Sequence, residues 1–167
     1  MWSKIERYFQ KYPAQARVAR LLFERGFQVR EDGKVVSGNI VIPYTQIAKE
    51  AGVERRAVAS AVRTILSVPE LKKIYSRLKQ VCLLQETARA FGLSVITFVP
   101  ENARRPGIIA EVTRIISEKG LTIVQAYAED PDVSPEPKFI VVIQGEIPHN
   151  LIKELRRIPG ARSITIY

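Results

Sequence analysis

The sequence is poor in the residues that build most metal and nucleophilic sites. Among its 167 residues are one cysteine, Cys82, and one histidine, His149. A single cysteine excludes an internal disulfide and agrees with a reducing cytoplasm. One histidine and one cysteine cannot make a standard structural zinc site, no nucleophilic triad is evident, and no glycine-rich phosphate loop is present. We therefore expect no metal, no cofactor and no catalytic centre.

Long apolar runs are missing as well. No stretch approaches the roughly 18 residues that a membrane span needs, and the first residues lack the apolar core of a secretion signal. Hydrophobic residues make up 46% and charged residues 26% of the chain, as in ordinary globular domains. We expect a cytoplasmic protein with no membrane partner.

Acidic residues are scarce in the first half only. Residues 1–92 hold 17 Lys+Arg and 8 Asp+Glu, a net charge of +9, whereas residues 93–167 hold 9 of each. Because the whole positive excess lies in one half, the pattern indicates a polyanion-binding module joined to a neutral module. A generally basic protein with solvated lysines is the alternative.

Several short elements are predicted before residue 44. Pro13 and Gly26 delimit a helix whose apolar residues recur at helical spacing. Asp32-Gly33 predicts a two-residue hairpin turn of type I′, with Glu31 and Lys34 as an opposite-charge pair across the strands. A third short strand is expected in the sequence NIVIP.

The stretch IAKEAGVERRAVASAVRTIL, residues 47–66, predicts two helices separated by Gly52. Its buried faces are expected to comprise Ile47, Ala48, Ala51, Val53, Val58, Ala61, Val62 and Ile65. This frame resembles the helix-turn-helix motif over about twenty residues. The resemblance implies that the second helix lies in the major groove of duplex DNA, where arginine side chains bind guanine and the start of the first helix binds phosphate. The expected contact residues are Tyr44, Thr45, Arg55, Arg56, Ser60 and Arg63. A three-helix packing module with solvated arginines is the alternative.

Residues 69–92 predict one long linker helix that begins at Pro69. Its apolar stripe comprises Leu71, Ile74, Tyr75, Leu78, Val81 and Cys82. The stripe can pack on its own module or on a second copy of the chain. We therefore divide the chain into a helix-turn-helix domain (1–68), the linker helix (69–92) and a third segment (93–167) with its boundary at Gly92.

The pattern of residues 93–167 predicts the order βαββαβ, the ferredoxin-like arrangement of one antiparallel sheet with two helices on one face. The whole chain is thus expected in the α+β class. Strands such as FIVVI are apolar on both faces, which indicates that the second face of the sheet is also covered, for example by a partner subunit. The acidic, proline-rich segment 128–139 is interpreted as a solvated loop rather than a cation site.

Within this half, the sequence RRPGIIAEVTRIISEKGLTI resembles the ACT domain, a small-molecule sensor of amino-acid metabolism. The matching residues are Pro106, Gly107, Ile108, Ile109, Glu111, Val112 and Gly120. The resemblance implies that sheets pair between subunits and that an amino acid binds between the strand-to-helix loop of one subunit and the second strand of its neighbour. This chain has Arg104 where many such sequences have Asp or Asn, so a dicarboxylate or no ligand stays an alternative.

The start of the helix in that pattern predicts a carboxylate site. Arg105 is a poor N-cap for a helix that begins at Pro106, so the first N–H groups need another acceptor. Gly107 lets a ligand approach the backbone, and the two arginines add positive charge. The expected ligand-binding residues are Asn102, Arg104, Arg105, Gly107, Ile108 and Gln125. Water can satisfy the same groups.

The two halves together resemble prokaryotic, particularly archaeal, regulators of amino-acid metabolism, and they are similar in plan to leucine-responsive regulators. The resemblance implies a non-enzymatic, ligand-responsive transcription regulator that binds double-stranded DNA and a small-molecule effector. It also implies a homodimer or higher even oligomer formed through residues 93–167. The alternatives are a regulatory subunit that docks a metabolic enzyme without binding DNA, and an amino-acid-binding fragment of an enzyme.

Overall fold

The computed structural model describes all 167 residues and divides into two compact units, residues 1–82 and residues 83–167. This division lies before Gly92, the boundary expected from the sequence. The predicted linker segment is therefore shared between the units rather than standing apart from them. None of the helices combines the length and apolarity that crossing a bilayer requires.

The first unit contains five helices and a small antiparallel sheet. In chain order these are α1 (Trp2–Glu6), α2 (Pro13–Glu24), β1 (Gln28–Val29), β2 (Val35–Ser37), β3 (Ile40–Ile42), α3 (Tyr44–Ala51), α4 (Arg55–Ser67) and α5 (Pro69–Tyr75). Phe9, Val18, Leu22 and Ile65 are fully buried among them. Helix α1 was not predicted, because its five residues carry only two buried apolar side chains and show no repeat of a helical period.

The helix-turn-helix frame predicted for residues 47–66 is confirmed. Helix α3 ends at Gly52, which has left-handed backbone angles, and the Val53 N–H donates to the Ala48 carbonyl oxygen at 2.9 Å. This turn sets the direction of α4, whose apolar residues form its buried face. The buried residues of the pair are Ile47, Ala48, Val58, Ala61, Val62 and Ile65.

The hairpin between β1 and β2 exists, but its turn differs from the prediction. A type I′ turn needs positive φ at both Asp32 and Gly33, and only Gly33 has it, at 81°. The Gly33 N–H donates to the Arg30 carbonyl oxygen at 3.0 Å and the Arg30 N–H donates to Lys34 at 2.9 Å. These bonds define a three-residue loop that ends in a glycine bulge. The predicted pair of Glu31 with Lys34 is therefore wrong: Lys34 pairs with Asp32 at 3.2 Å, while the Glu31 carboxylate reaches Lys72 at 2.8 Å.

The prediction of one long linker helix over residues 69–92 is also wrong, because α5 ends at Tyr75 and residues 76–87 are irregular. Tertiary contacts explain this early end. The Tyr75 hydroxyl donates to the Ala19 carbonyl oxygen at 2.8 Å in the core. Beyond it the chain runs back along the first unit, where the Lys79 carbonyl packs against Gly26 and Ser37 bonds Gln80 at 2.5 Å. A continued helix would give up these contacts. In the irregular segment that forms instead, Val81 and Cys82 are exposed rather than part of a buried stripe.

The second unit has the predicted ferredoxin-like order. A short 3₁₀ helix (Ala88–Phe91) precedes β4 (Leu93–Pro100), α6 (Ile108–Glu118), β5 (Thr122–Ala128), β6 (Phe139–Gln144), α7 (His149–Leu155) and β7 (Ala161–Ile166). The strands form one antiparallel sheet in the order β5-β6-β4-β7. Both helices pack on one face, where Ile96, Phe98, Val141, Val112 and Leu155 are buried in a single cluster. The α+β class and this architecture are confirmed.

The second face of that sheet has a cover within the same chain. Ala88 forms a buried cluster with Val95, Ile140 and Val142, and Leu84 packs against it. The segment before β4 therefore covers the central strands on this face. The sequence analysis had given a partner subunit as one possible cover. The edge strand β5 is less covered, because Val124 is 47% exposed and Tyr127 is 39% exposed.

Candidate nucleic-acid interface and effector pocket

The N-terminal turn of α4 presents two arginines that differ in their surroundings. Arg55 is the first residue of the helix, and no carboxylate lies within ion-pair distance of its guanidinium. Arg56 follows it and pairs with Glu54 at 2.7 Å, with both side chains largely exposed. An exposed pair of this kind is weak in water, so Arg56 can leave it for a stronger anion. Arg55 needs no such exchange.

The same face of α4 continues with Ser60 and Arg63. The Arg63 guanidinium donates to the Ser60 hydroxyl at 2.9 Å, and the two residues are one helical turn apart. Arg63 is exposed and has no carboxylate partner. The structure therefore brings Arg55, Arg56, Ser60 and Arg63 onto one exposed surface, as the sequence predicted.

Tyr44 occupies a different position from the one its predicted phosphate contact requires. Its hydroxyl is half-buried and donates to the Gly33 carbonyl oxygen in the hairpin turn at 2.5 Å. Burial raises the pKa of Tyr44, and the nearby Arg55 and Arg63 oppose that shift. The side chain thus ties the hairpin to the start of α3, and donating to a phosphate would break this bond. Thr45, the next residue, is exposed at the helix start.

A cleft of about 440 Å³ lies between the hairpin turn and the starts of α3 and α4. Thr45 and Arg55 line it together with Lys34, which the sequence reasoning did not include in the site. The sequence does place a lysine directly after the Asp-Gly turn, which could have suggested a contact to an anion. No local sequence pattern, however, predicted that this turn would lie beside the helix-turn-helix. Arg17 was missed too: from α2 it donates to the Gly52 carbonyl oxygen at 3.4 Å and so holds the turn between α3 and α4.

The residues predicted to bind a ligand carboxylate in the second unit already bond to other groups of the protein. The Asn102 side-chain oxygen accepts the Arg104 backbone N–H at 2.9 Å. The Arg104 guanidinium pairs with Asp132, which lies in the loop between β5 and β6. Arg105 donates to the Pro159 carbonyl oxygen and lies 3.5 Å from the Glu111 carboxylate. A ligand carboxylate would have to displace these partners.

Gly107 and Gln125 also differ from expectation. Helix α6 begins at Ile108 rather than Pro106, and Gly107 precedes it with a φ of 91°. Any other residue at 107 would be strained, so this position is restricted by its backbone. Gln125 accepts the Leu84 N–H at 2.9 Å on the sheet face opposite α6. The structure does not bring Gln125 to the helix start within one chain, and its contact to a neighbour's ligand stays a prediction.

A pocket of about 480 Å³ opens beside the start of α6. Arg105, Gly107 and the buried Ile108 line it, so three of the six predicted ligand residues reach it. Asn102, Arg104 and Gln125 do not. The pocket's other walls come from the ends of β4 and β5 and from the start of β6. Elsewhere, no group of three or more His, Cys, Asp or Glu side chains is placed to hold a metal ion.

Comparison with known proteins gives distant structural likenesses only. No protein-family model and no curated protein matches the chain. An AsnC-family transcriptional regulator from Agrobacterium tumefaciens is 11% identical, with 92% of this chain and 86% of that chain covered and a TM-score of 0.30. A transcriptional regulatory protein of the AsnC family from Pyrococcus furiosus is 14% identical, with 92% and 85% covered and a TM-score of 0.27. At TM-scores this low, neither likeness assigns a fold or a function to this chain.

Proposed function

We propose that this chain is a DNA-binding transcription regulator whose second unit binds a small-molecule effector. The observation that carries the proposal is the exposed face of α4, where Arg55 and Arg63 have no carboxylate partner within a helix-turn-helix frame. The same unit holds the whole positive excess of the chain. Residues 1–82 contain 16 Lys+Arg and 7 Asp+Glu, a net charge of +9.

In this proposal α4 enters the major groove and its arginines bind base edges. A guanidinium can make two hydrogen bonds to one guanine, which gives sequence preference, whereas contacts to phosphate give affinity without preference. Ser60 orients Arg63 through its hydroxyl. Thr45 and Lys34 line the cleft beside α4 and are placed to contact the flanking phosphates.

The second unit is proposed to form the homodimer. Val124 and Tyr127 are exposed apolar side chains on the edge strand β5, and such an edge is normally protected or paired. A second copy paired along β5 would cover these apolar side chains. Two α4 helices would then be held at a fixed spacing, which suits a two-fold symmetric site on DNA.

The effector is proposed to change the spacing between the two α4 helices of the dimer. A ligand can shift the equilibrium between two dimer arrangements only when it binds one of them better than the other. The pocket beside α6 is the candidate site, and an amino acid is the ligand class that the resemblance to the ACT domain implies.

Salt-dependent binding to duplex DNA tests the proposal and separates it from an enzyme-docking subunit. With about six phosphate contacts per dimer, affinity should fall roughly a thousandfold between about 50 and 200 mM salt, because bound phosphates release their counterions. Fluorescence anisotropy of the full chain on labelled genomic duplexes measures this slope, and residues 83–167 alone are the neutral control. Absence of duplex binding at low salt would favour the enzyme-docking alternative. Sedimentation of the full chain checks the dimer separately.

A further inference from the structure

The hairpin formed by β2 and β3, residues 35–42, carries two apolar side chains that the first unit leaves uncovered. Ile40 is 73% exposed and Val41 is 49% exposed, although both belong to a strand. Strand β3 is an outer strand of the three-stranded sheet, so one of its edges pairs with no other strand. Because an apolar sheet edge is normally covered or paired, this hairpin is a candidate contact surface.

The tip of the β2–β3 hairpin carries a cation. Ser37 pairs with Ile40, so Gly38 and Asn39 form a two-residue turn. The Arg30 guanidinium donates to the Gly38 carbonyl oxygen and to the Asn39 side-chain oxygen, each at 3.1 Å. Both acceptors are neutral, and no carboxylate lies within ion-pair distance of Arg30. The positive charge of Arg30 is therefore held at the tip by bonds that do not neutralise it.

Acidic residues are absent from this part of the chain. Residues 33–49 contain two lysines and no Asp or Glu. On the preceding loop, the Asp32 carboxylate pairs with Lys34 at 3.2 Å, and the Glu31 carboxylate reaches Lys72 at 2.8 Å. The hairpin surface is thus cationic and apolar at once. This combination suits a nucleic-acid strand, whose phosphates attract cations and whose sugars accept apolar contacts.

The hairpin and the start of α4 border the same cleft. Its volume is about 440 Å³, and its lining includes Val41 of β3, Lys34, Thr45 of α3 and Arg55 of α4. In the proposed function, α4 enters the major groove and this cleft receives the phosphates of one strand. A sugar-phosphate strand separates the two grooves of a duplex. A strand that lies in the cleft therefore has α4 on its major-groove side and the hairpin on its minor-groove side.

We propose that the β2–β3 hairpin contacts the minor groove beside the site that α4 binds, with the Arg30 guanidinium in the groove and Ile40 against the sugars. The inference rests on the proposed function, and it adds a preference for A·T pairs at the flank. A narrow A·T-rich minor groove has an enhanced negative potential that attracts arginine. A G·C pair, in contrast, places the N2 amino group of guanine in that groove, where it opposes a cation.

Base substitutions at the flank distinguish the minor groove from the major groove. Inosine is guanosine without the N2 amino group, so an inosine·cytosine pair presents the major groove of G·C and the minor groove of A·T. A duplex selected by the full-length protein is remade with A·T, G·C or inosine·cytosine pairs about five base pairs, half a helical turn, to either side of the α4 contact. In anisotropy titrations, the A·T and inosine·cytosine flanks should both bind about five- to tenfold more tightly than the G·C flanks.

Two variants with matched controls test the assignment of residues. Arg30→Gln removes the charge but keeps a donor for the tip, and it should bind all three flanks alike. Arg25→Gln removes a charge of the same unit that pairs with Glu50 and should keep the flank preference. Ile40→Thr keeps a β-branched side chain and should weaken binding to every duplex by about three- to tenfold, because apolar contact is lost. Val81→Thr, at a residue of the same unit that is 72% exposed, should bind as the parent protein does.

The outcomes separate this proposal from the proposed function. If the full-length protein binds no duplex at low salt, both fail. If it binds duplexes but treats inosine·cytosine flanks as G·C flanks, or binds all flanks alike, the minor-groove contact is overturned while DNA binding stands. A flank preference retained by Arg30→Gln, or equal affinities of Ile40→Thr and Val81→Thr, would overturn the roles of Arg30 and Ile40. Sedimentation of Ile40→Thr should match the parent protein; a smaller oligomer would assign β3 to an interface between copies and overturn the proposal.

Discussion

The arginines of the two candidate sites are in opposite electrostatic situations. In the first unit, Arg55 and Arg63 are exposed and have no carboxylate within reach. In the second unit, Arg104 pairs with Asp132 and Arg105 lies near Glu111. An unpaired cation attracts an incoming anion with its full charge, whereas a paired cation must first lose its carboxylate partner. Neighbouring arginines therefore form an open anion site only when the fold places no carboxylate beside them.

Helix α4 contains the same contrast on a smaller scale. Arg55 and Arg56 are adjacent in sequence and both exposed, yet only Arg56 has an acid, Glu54, at 2.7 Å. The pair is largely solvated, so it offsets the charge of Arg56 only weakly. Arg56 is therefore intermediate between the unpaired arginines of α4 and the engaged arginines of the second unit.

Removing the unpaired arginines should have the largest effect. Each arginine that binds a base contributes about 1–3 kcal/mol on a preferred duplex. The double variant Arg55→Ala/Arg63→Ala should therefore weaken specific binding by roughly thirtyfold or more. Anisotropy titrations on the selected duplex and on a scrambled one measure both the affinity and the preference.

A control of equal charge keeps that test specific. Arg20→Ala/Arg25→Ala removes the same two charges, but these arginines pair with Glu24 and Glu50. It should lower the affinity for both duplexes equally and by much less. Equal losses in the two double variants would mean that net charge, rather than the face of α4, accounts for binding.

Releasing Arg56 should have a smaller effect of the opposite sign. Glu54→Gln removes the carboxylate that pairs with Arg56 and also removes a negative charge from the start of α4. Because an exposed pair is worth about 0–1 kcal/mol, affinity for duplex DNA should rise by about two- to fivefold. Glu50→Gln, which releases Arg25, is the matched control and should change the affinity less. A loss of affinity in Glu54→Gln would show that the pair positions Arg56 for binding.

The smallest effect is expected in the second unit. Asp132→Asn releases Arg104, but it should leave DNA affinity unchanged, since residues 83–167 carry no net charge in the parent chain. The free energy of unfolding should fall by about 0–1 kcal/mol, as for other exposed pairs. Denaturant titration and anisotropy check the two quantities. A rise in DNA affinity as large as that of Glu54→Gln would remove the distinction between the two sites.

Sequence periodicity was sufficient for most regular elements of the two units, though not for α1 or for the end of α5. The spacing of Ile47, Val58, Ala61 and Ile65 predicted two helices around Gly52, and all four apolar residues are buried. The alternation of strands and helices after residue 92 likewise predicted one antiparallel sheet with two helices on one face, because the βαββαβ order is that of the ferredoxin-like arrangement. The exposed arginine face of α4 followed directly from the first of these patterns.

Other features depended on residues far apart in the chain, which no local pattern reports. The apolar stripe after Pro69 predicted a helix to Gly92, but the bond of Tyr75 to Ala19 and the packing of Lys79 on Gly26 ended it early. The segment that follows covers the sheet through Leu84, which donates to Gln125. Its contacts were available only once the sheet had formed.

The sequence by itself determined where most helices and strands lie, because their periods are set by backbone geometry and by the burial of apolar side chains. Which charged groups are available to a ligand was decided only by the tertiary structure. Arg104 and Lys138 are both cations near one loop, yet the fold gives Arg104 an acid from that loop and leaves Lys138 without one. Ion pairing depends on distances of a few ångströms between residues remote in sequence, and these distances exist only in the folded chain.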